Sequence, residues 1–305
     1  MPDRSKFCLK RENRDTCEAA RGGRNPKGVR REKNEGFNQA SPAASRVFLP
    51  WLENFSATQG CLAMHLALRY SLGDWAACVL LFCVGLYLDR AKPFEQYIGN
   101  RLADPSISYP HTPPEQQQVT ANQLIFIALV FPACAIGGTQ LLLRRRRSSD
   151  LNQALLGLLS SVALALTLVC FVKNAYGRLR PDFLARCRPV GSGASAVCSN
   201  VGPEVVEGRK SFPSGHSALS MAGEAYLSLW LGAKLMHAEL PATLALGGTL
   251  WRLMLAAVPW FFALWVGLSR IEDYWHHWED VTVGVLLTLT PTLTLTTDPN
   301  PGLEL

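Results

Sequence analysis

Twelve consecutive residues, Ser269-Arg270-Ile271-Glu272-Asp273-Tyr274-Trp275-His276-His277-Trp278-Glu279-Asp280, set two histidines, an arginine and four carboxylates between two apolar runs. Ionisable groups placed beside hydrocarbon-length segments are costly to desolvate and mark places where charge is handled. His276 and Asp280 stand four apart. If the second apolar run opens here as a helix, that spacing puts imidazole and carboxylate on one face. The carboxylate then accepts one ring N–H and leaves the other nitrogen free. A histidine held in this way can serve as a nucleophile or as a base. Alone, the stretch also reads as an interfacial anchor, because tryptophan and charged residues gather at membrane surfaces.

Two more segments turn the reading toward chemistry. Lys173-Asn174-Ala175-Tyr176-Gly177-Arg178-Leu179-Arg180-Pro181 ends one apolar run, and Lys210-Ser211-Phe212-Pro213-Ser214-Gly215-His216-Ser217 opens another. Cations fixed at one place can hold an anionic group as its charge grows in a transition state. Lys173, Arg180 and Arg270 are the candidates: an arginine offers a planar fork for two oxygens, a lysine a point charge. Without that context Lys173 would read as a helix-end lysine reaching for water. Pro181 biases Arg180 away from helical angles, so the chain is expected to bend after Gly177 and turn Arg180 back. Arg178 reads as a surface or headgroup-contacting residue. In Pro213-Ser214-Gly215-His216, serine can cap the following helix and glycine permits close approach of backbone, which gives a helix N-terminus suited to an anion.

In order the three segments read K-x6-R-P, P-S-G-H and S-R-x5-H-x3-D. This set resembles the type 2 phosphatidic acid phosphatase family, also called lipid phosphate phosphatases, over about Trp75 to Leu287. The resemblance implies an all-α integral membrane protein, a six-transmembrane-helix bundle with the haloperoxidase-like phosphate pocket. It implies that His276 attacks phosphorus to form a phosphohistidine, that Asp280 orients it, and that His216 protonates the departing lipid alkoxide before water hydrolyses the intermediate. Lys173, Arg180, Ser214, Gly215 and Arg270 then bind the phosphate, with neither metal nor cofactor required. On a helix His277 would point about 100° from His276, and the motif spacing favours His276. The strings Glu207 to Phe212, Asp273-Tyr274 and His276-His277-Trp278 resemble the diacylglycerol pyrophosphate phosphatase-like branch. Phosphatidate and diacylglycerol pyrophosphate, with lysophosphatidate and related lipid phosphates, are the substrates so implied.

These groups must be positioned by spans. Apolar residues make up 48% of the 305, and the formal charge of +6 resides in residues 1–50, which hold twelve Lys and Arg against six Asp and Glu. Residues 1–72 are expected to form a basic, mostly disordered cytosolic tail near anionic lipid, where the Asn54-Phe55-Ser56 sequon carries little weight. That tail has few aromatics and no fold signal, so no nucleic-acid partner is expected. The start shows no signal-peptide pattern, which leaves insertion to an internal helix. The nine cysteines include no C-x-x-C pair or zinc-like spacing. A membrane domain is expected over 73–297 and a short tail over 298–305. Its spans fall near Trp75–Leu88, Gln123–Leu143, Leu151–Val172, Ser214–Leu235, Leu253–Leu268 and Asp280–Thr296. The last is weakened by alternating Leu and Thr around Pro291.

The polar, proline-rich loop Asp89–Thr120 cannot be helical throughout. Arg144 to Arg147 belong in the cytosol by the positive-inside rule, which sends all three motifs to the extracellular or lumenal face of a multi-pass protein of plasma membrane or endoplasmic reticulum. Cys187 and Cys198, on that oxidising side, are expected to pair. Glu224 reads as a polar contact between helices, and His65, His111 and His237 match no motif. A catalytically silent protein of the same fold acting through partner binding would be expected to have lost motif residues, and a transporter should show broken helices or paired repeats. The sequence shows a complete motif set and neither transporter feature.

Overall fold

The computed structural model describes residues 71–142, 148–237 and 249–297. The expectations for the basic tail and its sequon, for Arg144 to Arg147 and for the tail 298–305 lie outside the described residues. The helices build one of the two units into which the chain divides, Gly73–Leu305. Helix α1 is Leu72–Arg90. Helix α2 runs on through Ala121–Ile125, a π-helical stretch Phe126–Val130, and Phe131–Leu142. Helix α3 is Ser148–Tyr176; the short α4 (Phe183–Cys187), strands β1 (Pro189–Val190) and β2 (Val197–Cys198) and short α5 (Pro203–Glu207) follow. Then come α6 (Gly215–His237), α7 (Leu250–Glu272) and α8 (Trp278–Thr297).

Leu72–Arg90, Ala121–Leu141, Asp150–Tyr176 and Leu250–Glu272 are long and apolar enough to cross a bilayer. The six expected spans are met on these terms by four. Helices α6 and α8, with 23 and 20 residues, have the length but carry Ser217, Ser220, Glu224 and a run of threonines. Their position explains the composition: α6 packs against α2, α3, α7 and α8, and a helix enclosed by protein need not be apolar toward lipid. By contrast α1 exposes Val79, Leu80 and Leu86, and α7 exposes Leu253, Met254, Leu255 and Phe261, outward apolar surface suited to hydrocarbon. Between them, Ile136, Leu158, Val162, Tyr226 and Trp230 join α2, α3 and α6 in a buried cluster. At Gly223 a Cβ would overlap the Ala128 carbonyl oxygen, so the absence of a side chain there lets α2 lie backbone to backbone on α6.

The weak last segment is helical across Pro291 to Thr297. Its threonines bond back to the carbonyls of the preceding turn. Thr288 Oγ1 donates to Gly284 O at 3.1 Å, Thr292 Oγ1 donates to Thr288 O at 2.7 Å, and the Thr292 hydroxyl meets Ser161 Oγ at 2.8 Å. Thr288 and Thr292, four apart and so on one face of the helix, are buried, while Thr290 between them is exposed.

Residues 91–120 form irregular chain with short 3-10 turns at Gly99–Arg101, Pro105–Ile107 and Pro114–Gln116, as their prolines require. Ile98, Ile107, Leu179, Phe183, Cys187 and Val205 join this chain to the α3–α6 connection. Cys187 and Cys198 form a disulfide across a separation of 11 residues. By the chain-entropy argument a bridge of this length contributes about 2–3 kcal/mol.

Candidate active site

The turn out of α3 sets the first cation pair. Gly177 takes φ +63° and its N–H bonds to Lys173 O at 3.0 Å; any Cβ there would overlap the Phe94 carbonyl oxygen. The chain then leaves the helix: Arg178 reaches Asp280 and Arg180 reaches His276, while Leu179 is buried with Ile107 and Phe183. Arg180 is 2% exposed. Its Nε donates to Glu207 O at 2.8 Å, one terminal nitrogen pairs with the Glu207 carboxylate, and the other donates to Trp275 O at 3.0 Å and approaches His276 Nε2 at 3.3 Å. Lys173, on the last turn of α3, brings its Nζ to 3.2 Å from where a Gly215 side chain would begin. Glycine at 215 therefore leaves room for the ammonium beside the first turn of α6.

Ser214 is the cap of α6. Its Oγ accepts from Ser217 N at 3.4 Å and Ser217 Oγ at 2.8 Å, and its own N–H donates to Asp280 O at 2.9 Å. That last bond ties the start of α6 to the start of α8. The first N–H groups of α6, those of Gly215 and His216, have no helical acceptor. Arg270 is fully buried at the end of α7: NH1 donates to Val119 O at 2.7 Å and Gln117 Oε1 at 3.1 Å, NH2 pairs with Asp273 at 2.8 Å, and Nε has no partner among the described residues. His216 Nε2 is likewise buried without a partner, and Arg270, His276, Lys173 and Arg180 all act on that ring electrostatically.

His276 precedes α8 rather than lying in it, in the turn between α7 and α8, which corrects the expectation of a helical His276–Asp280 face. Its Nδ1 is 3.7 Å from Asp280 Oδ2, an ion-pair distance too long for a hydrogen bond. Arginine has no acceptor, so the nitrogen facing Arg180 must be the unprotonated one. The neutral ring then carries its hydrogen on Nδ1, toward Asp280, and turns the Nε2 lone pair to the cations. Burial first, and the Arg180 guanidinium second, lower the His276 pKa to about 3, so the ring is neutral at neutral pH.

Two readings of neighbouring residues are corrected. Arg178 is not a surface residue: it pairs with Asp280 at 2.7 Å and lies 3.6 Å from Glu279. His277 does not turn away: its N–H and Nδ1 reach Asp280 Oδ2 at 3.0 and 3.2 Å, and its Nε2 meets Ser106 O at 3.0 Å. Ser211 Oγ donates to the same carboxylate oxygen at 2.5 Å. The buried Asp280 carboxylate is thus held by three residues, Arg178, Ser211 and His277, before His276 is counted.

Sequence reasoning also passed over Trp275. Three guanidinium carbons lie near its ring centre, those of Arg186 at 4.4 Å, Arg180 at 4.6 Å and Arg270 at 5.7 Å, while its Nε1 donates to Thr112 O at 3.0 Å. Such faces attract cations, and here one ring spaces three of them. Behind it Asp182 accepts from Arg186 at 2.9 Å and meets His111 Nδ1 at 2.6 Å, so His111 has a place that no motif gave it. Among the described residues no group of three or more His, Cys, Asp or Glu is arranged to hold a metal ion.

Buried cations, the N-terminus of α6 and a histidine with an inward lone pair make an arrangement that can hold a tetrahedral anion against a nucleophile. Comparison with known proteins leads the same way. Residues 154–300, which include all three segments, match the PAP2 superfamily. Lipid phosphate phosphatase 2 of Arabidopsis thaliana is 34% identical over 228 residues, 73% of this chain and 74% of the relative. Diacylglycerol pyrophosphate phosphatase 1 of Saccharomyces cerevisiae is 34% identical over 233 residues, covering 73% and 77%. Phospholipid phosphatase 1 of Mus musculus is 30% identical over 237 residues, covering 68% and 77%. No solved structure matches. With this likeness extending over most of each relative, and with the three segments meeting at one end of its helix bundle, the chain belongs to the PAP2 superfamily of phosphatases.

Proposed function

We propose that this multi-pass membrane protein is a lipid phosphate phosphatase whose nucleophile is His276. The observation that carries the reading is the contact of Arg180 with His276 Nε2 inside a cluster that includes Lys173, Arg270 and His216. In the reaction His276 Nε2 attacks phosphorus, the bond from phosphorus to the lipid oxygen breaks, and His216 passes a proton to that oxygen. Water then attacks the phosphohistidine, His216 takes the water's proton, and inorganic phosphate leaves with the His276 lone pair restored. Lys173, Arg180 and Arg270, with the Ser214 hydroxyl and the free N–H of Gly215, hold the phosphoryl oxygens as charge spreads over them. Asp280, facing the His276 Nδ1–H at 3.7 Å, fixes the ring's orientation by its charge.

Phosphatidate and diacylglycerol pyrophosphate are the proposed substrates, supported by the names of the Arabidopsis and yeast relatives. The site faces the extracellular or lumenal side, a reading supported by the Arg144 to Arg147 block and by the disulfide beside the site. The test is phosphate release from a panel of lipid phosphates by detergent-solubilised protein in excess chelator. Wild type is expected to hydrolyse phosphatidate and His276→Ala to lose turnover by about 10⁴-fold or more. Equal rates for the two proteins would reject the nucleophile, and no release from any lipid phosphate would reject the function.

A further inference from the structure

A groove of about 760 Å³ runs between α2 and α7, lined by Gln118, Val119, Asn122, Gln123, Phe126, Ile127, Phe131, Phe262 and Trp265. Its volume falls in the range of small-molecule sites, ~300–1,000 Å³. The polar side chains sit at one end and the aromatic ones follow along the helices. Phe126, Phe131, Phe262 and Trp265 are 55%, 42%, 38% and 46% exposed, so the groove opens sideways, along helices that are long and apolar enough to lie in a bilayer. Phe262 and Trp265 stack at 5.6 Å with planes 12° apart, which gives that wall a fixed shape.

The polar end adjoins the phosphate site. Val119 O accepts from Arg270, Gln117 Oε1 accepts from the same guanidinium, and Gln118 N–H bonds to Asp273, the carboxylate paired with Arg270. The floor packs Val119, Leu124 and Ile127 of the α2 side on Val266 of α7 and on Leu219, three residues along α6 from His216. The wall also coincides with the π-helical stretch Phe126–Val130, where the helix widens. A π turn inside an α-helix is rare and is frequent at functional sites.

We infer that this groove holds one hydrocarbon chain of the lipid phosphate whose headgroup lies at Arg270 and His216. The inference rests on the function proposed above and adds the direction from which the substrate enters: sideways from the bilayer between α2 and α7. The amides of Gln118 and Asn122 stand where the polar glycerol ester region would cross from phosphate to chain, and the aromatic walls take the methylenes. A chain held there contributes binding in proportion to its length, so chain-length preference resides in this groove.

The test compares dioleoyl and dihexanoyl phosphatidate in mixed micelles, with kcat/KM measured for wild type, Asn122→Trp, which fills the polar mouth, and Trp265→Ala, which removes one wall. The ratio of the long-chain to the short-chain value is expected to fall roughly tenfold in each variant, the change for losing a few buried methylene contacts. A ratio that stays at the wild-type value in both would overturn the inference and leave the groove a site for bulk lipid only. A second measurement is independent of how the variants fold. Wild-type protein in vesicles is irradiated with a phosphatidate bearing a diazirine midway along its acyl chain, and adducts are expected on the peptides containing Phe126 and Trp265. Adducts confined to α1 or α3 would contradict it. Failure of wild type to hydrolyse either phosphatidate would instead reject the proposed function.

Discussion

Each of the two histidines has a distinct task that chemistry can separate. A diacylglycerol alkoxide is a poor leaving group and needs a proton as it departs, whereas an aryl phosphate leaves with little help; general acid catalysis contributes about 10²–10⁴-fold. His216, with its buried unpartnered Nε2, is the group placed to deliver that proton. His216→Asn is therefore expected to lower kcat/KM on phosphatidate by about 10²-fold or more and on p-nitrophenyl phosphate by much less, while His276→Asn fails on both. Steady-state kinetics of both variants on both substrates give the comparison. An equal loss on the two substrates for His216→Asn would make it a phosphate ligand instead. His277 and Arg178 show why residue types alone assign roles unevenly. A helical projection sends His277 away from Asp280, yet an irregular turn before α8 puts its Nδ1 nearer that carboxylate than His276.

At the level of elements, most helices were legible because their apolar length marks them. The spans expected at Leu151–Val172 and Leu253–Leu268 extend in the structure to Ser148–Tyr176 and Leu250–Glu272. Helices α6 and α8 were found at the right places, but their polar content made sense only once packing showed which faces are enclosed. The bend that delivers Arg180 was legible as Gly177 and Pro181. The pairing of Arg178 was signalled by its alternation with Arg180 around an apolar Leu179, and both arginines reach the His276–Asp280 turn. The gathering of three guanidiniums on Trp275 was not, since Arg186, Arg180 and Arg270 come from three separate segments. Gly177→Ala tests the bend. A left-handed backbone costs a residue with a side chain about 1–2 kcal/mol even before the overlap with Phe94 O. We expect it to lower the melting temperature in detergent and kcat/KM by about tenfold or more, whereas Gly137→Ala, with nothing within 4 Å of its added Cβ, should do neither. Thermal melts followed by tryptophan fluorescence, with assays on the same preparations, decide it.

For the whole molecule, a single site requires its parts at one membrane depth and on one side. The three segments do meet, through Ser214 with Asp280 and Arg180 with His276. Which side they face follows, in the proposal, from Arg144 to Arg147. A reporter cysteine at Val201, which is 91% exposed, should react in intact cells with a membrane-impermeant maleimide, and a tag at Met1 should be shielded from added protease. In protein shown to be at the cell surface, a Val201 reporter left unlabelled would move the site to the cytosol, whereas a cleaved Met1 tag would place the tail outside. The chain-binding groove fits either orientation, because it opens to hydrocarbon rather than to water.

The central claim is that phosphorus is transferred to His276, and trapping that bond tests it most directly. Wild-type protein mixed with phosphatidate labelled in its phosphate with ³²P and quenched in alkali within milliseconds should carry an acid-labile label. Proteolysis should place the label on the peptide that spans Ile271 to Glu279, at His276, and the His276→Ala protein should carry none. A label on His277 or on any other residue, or its persistence in the His276→Ala protein, would contradict the account.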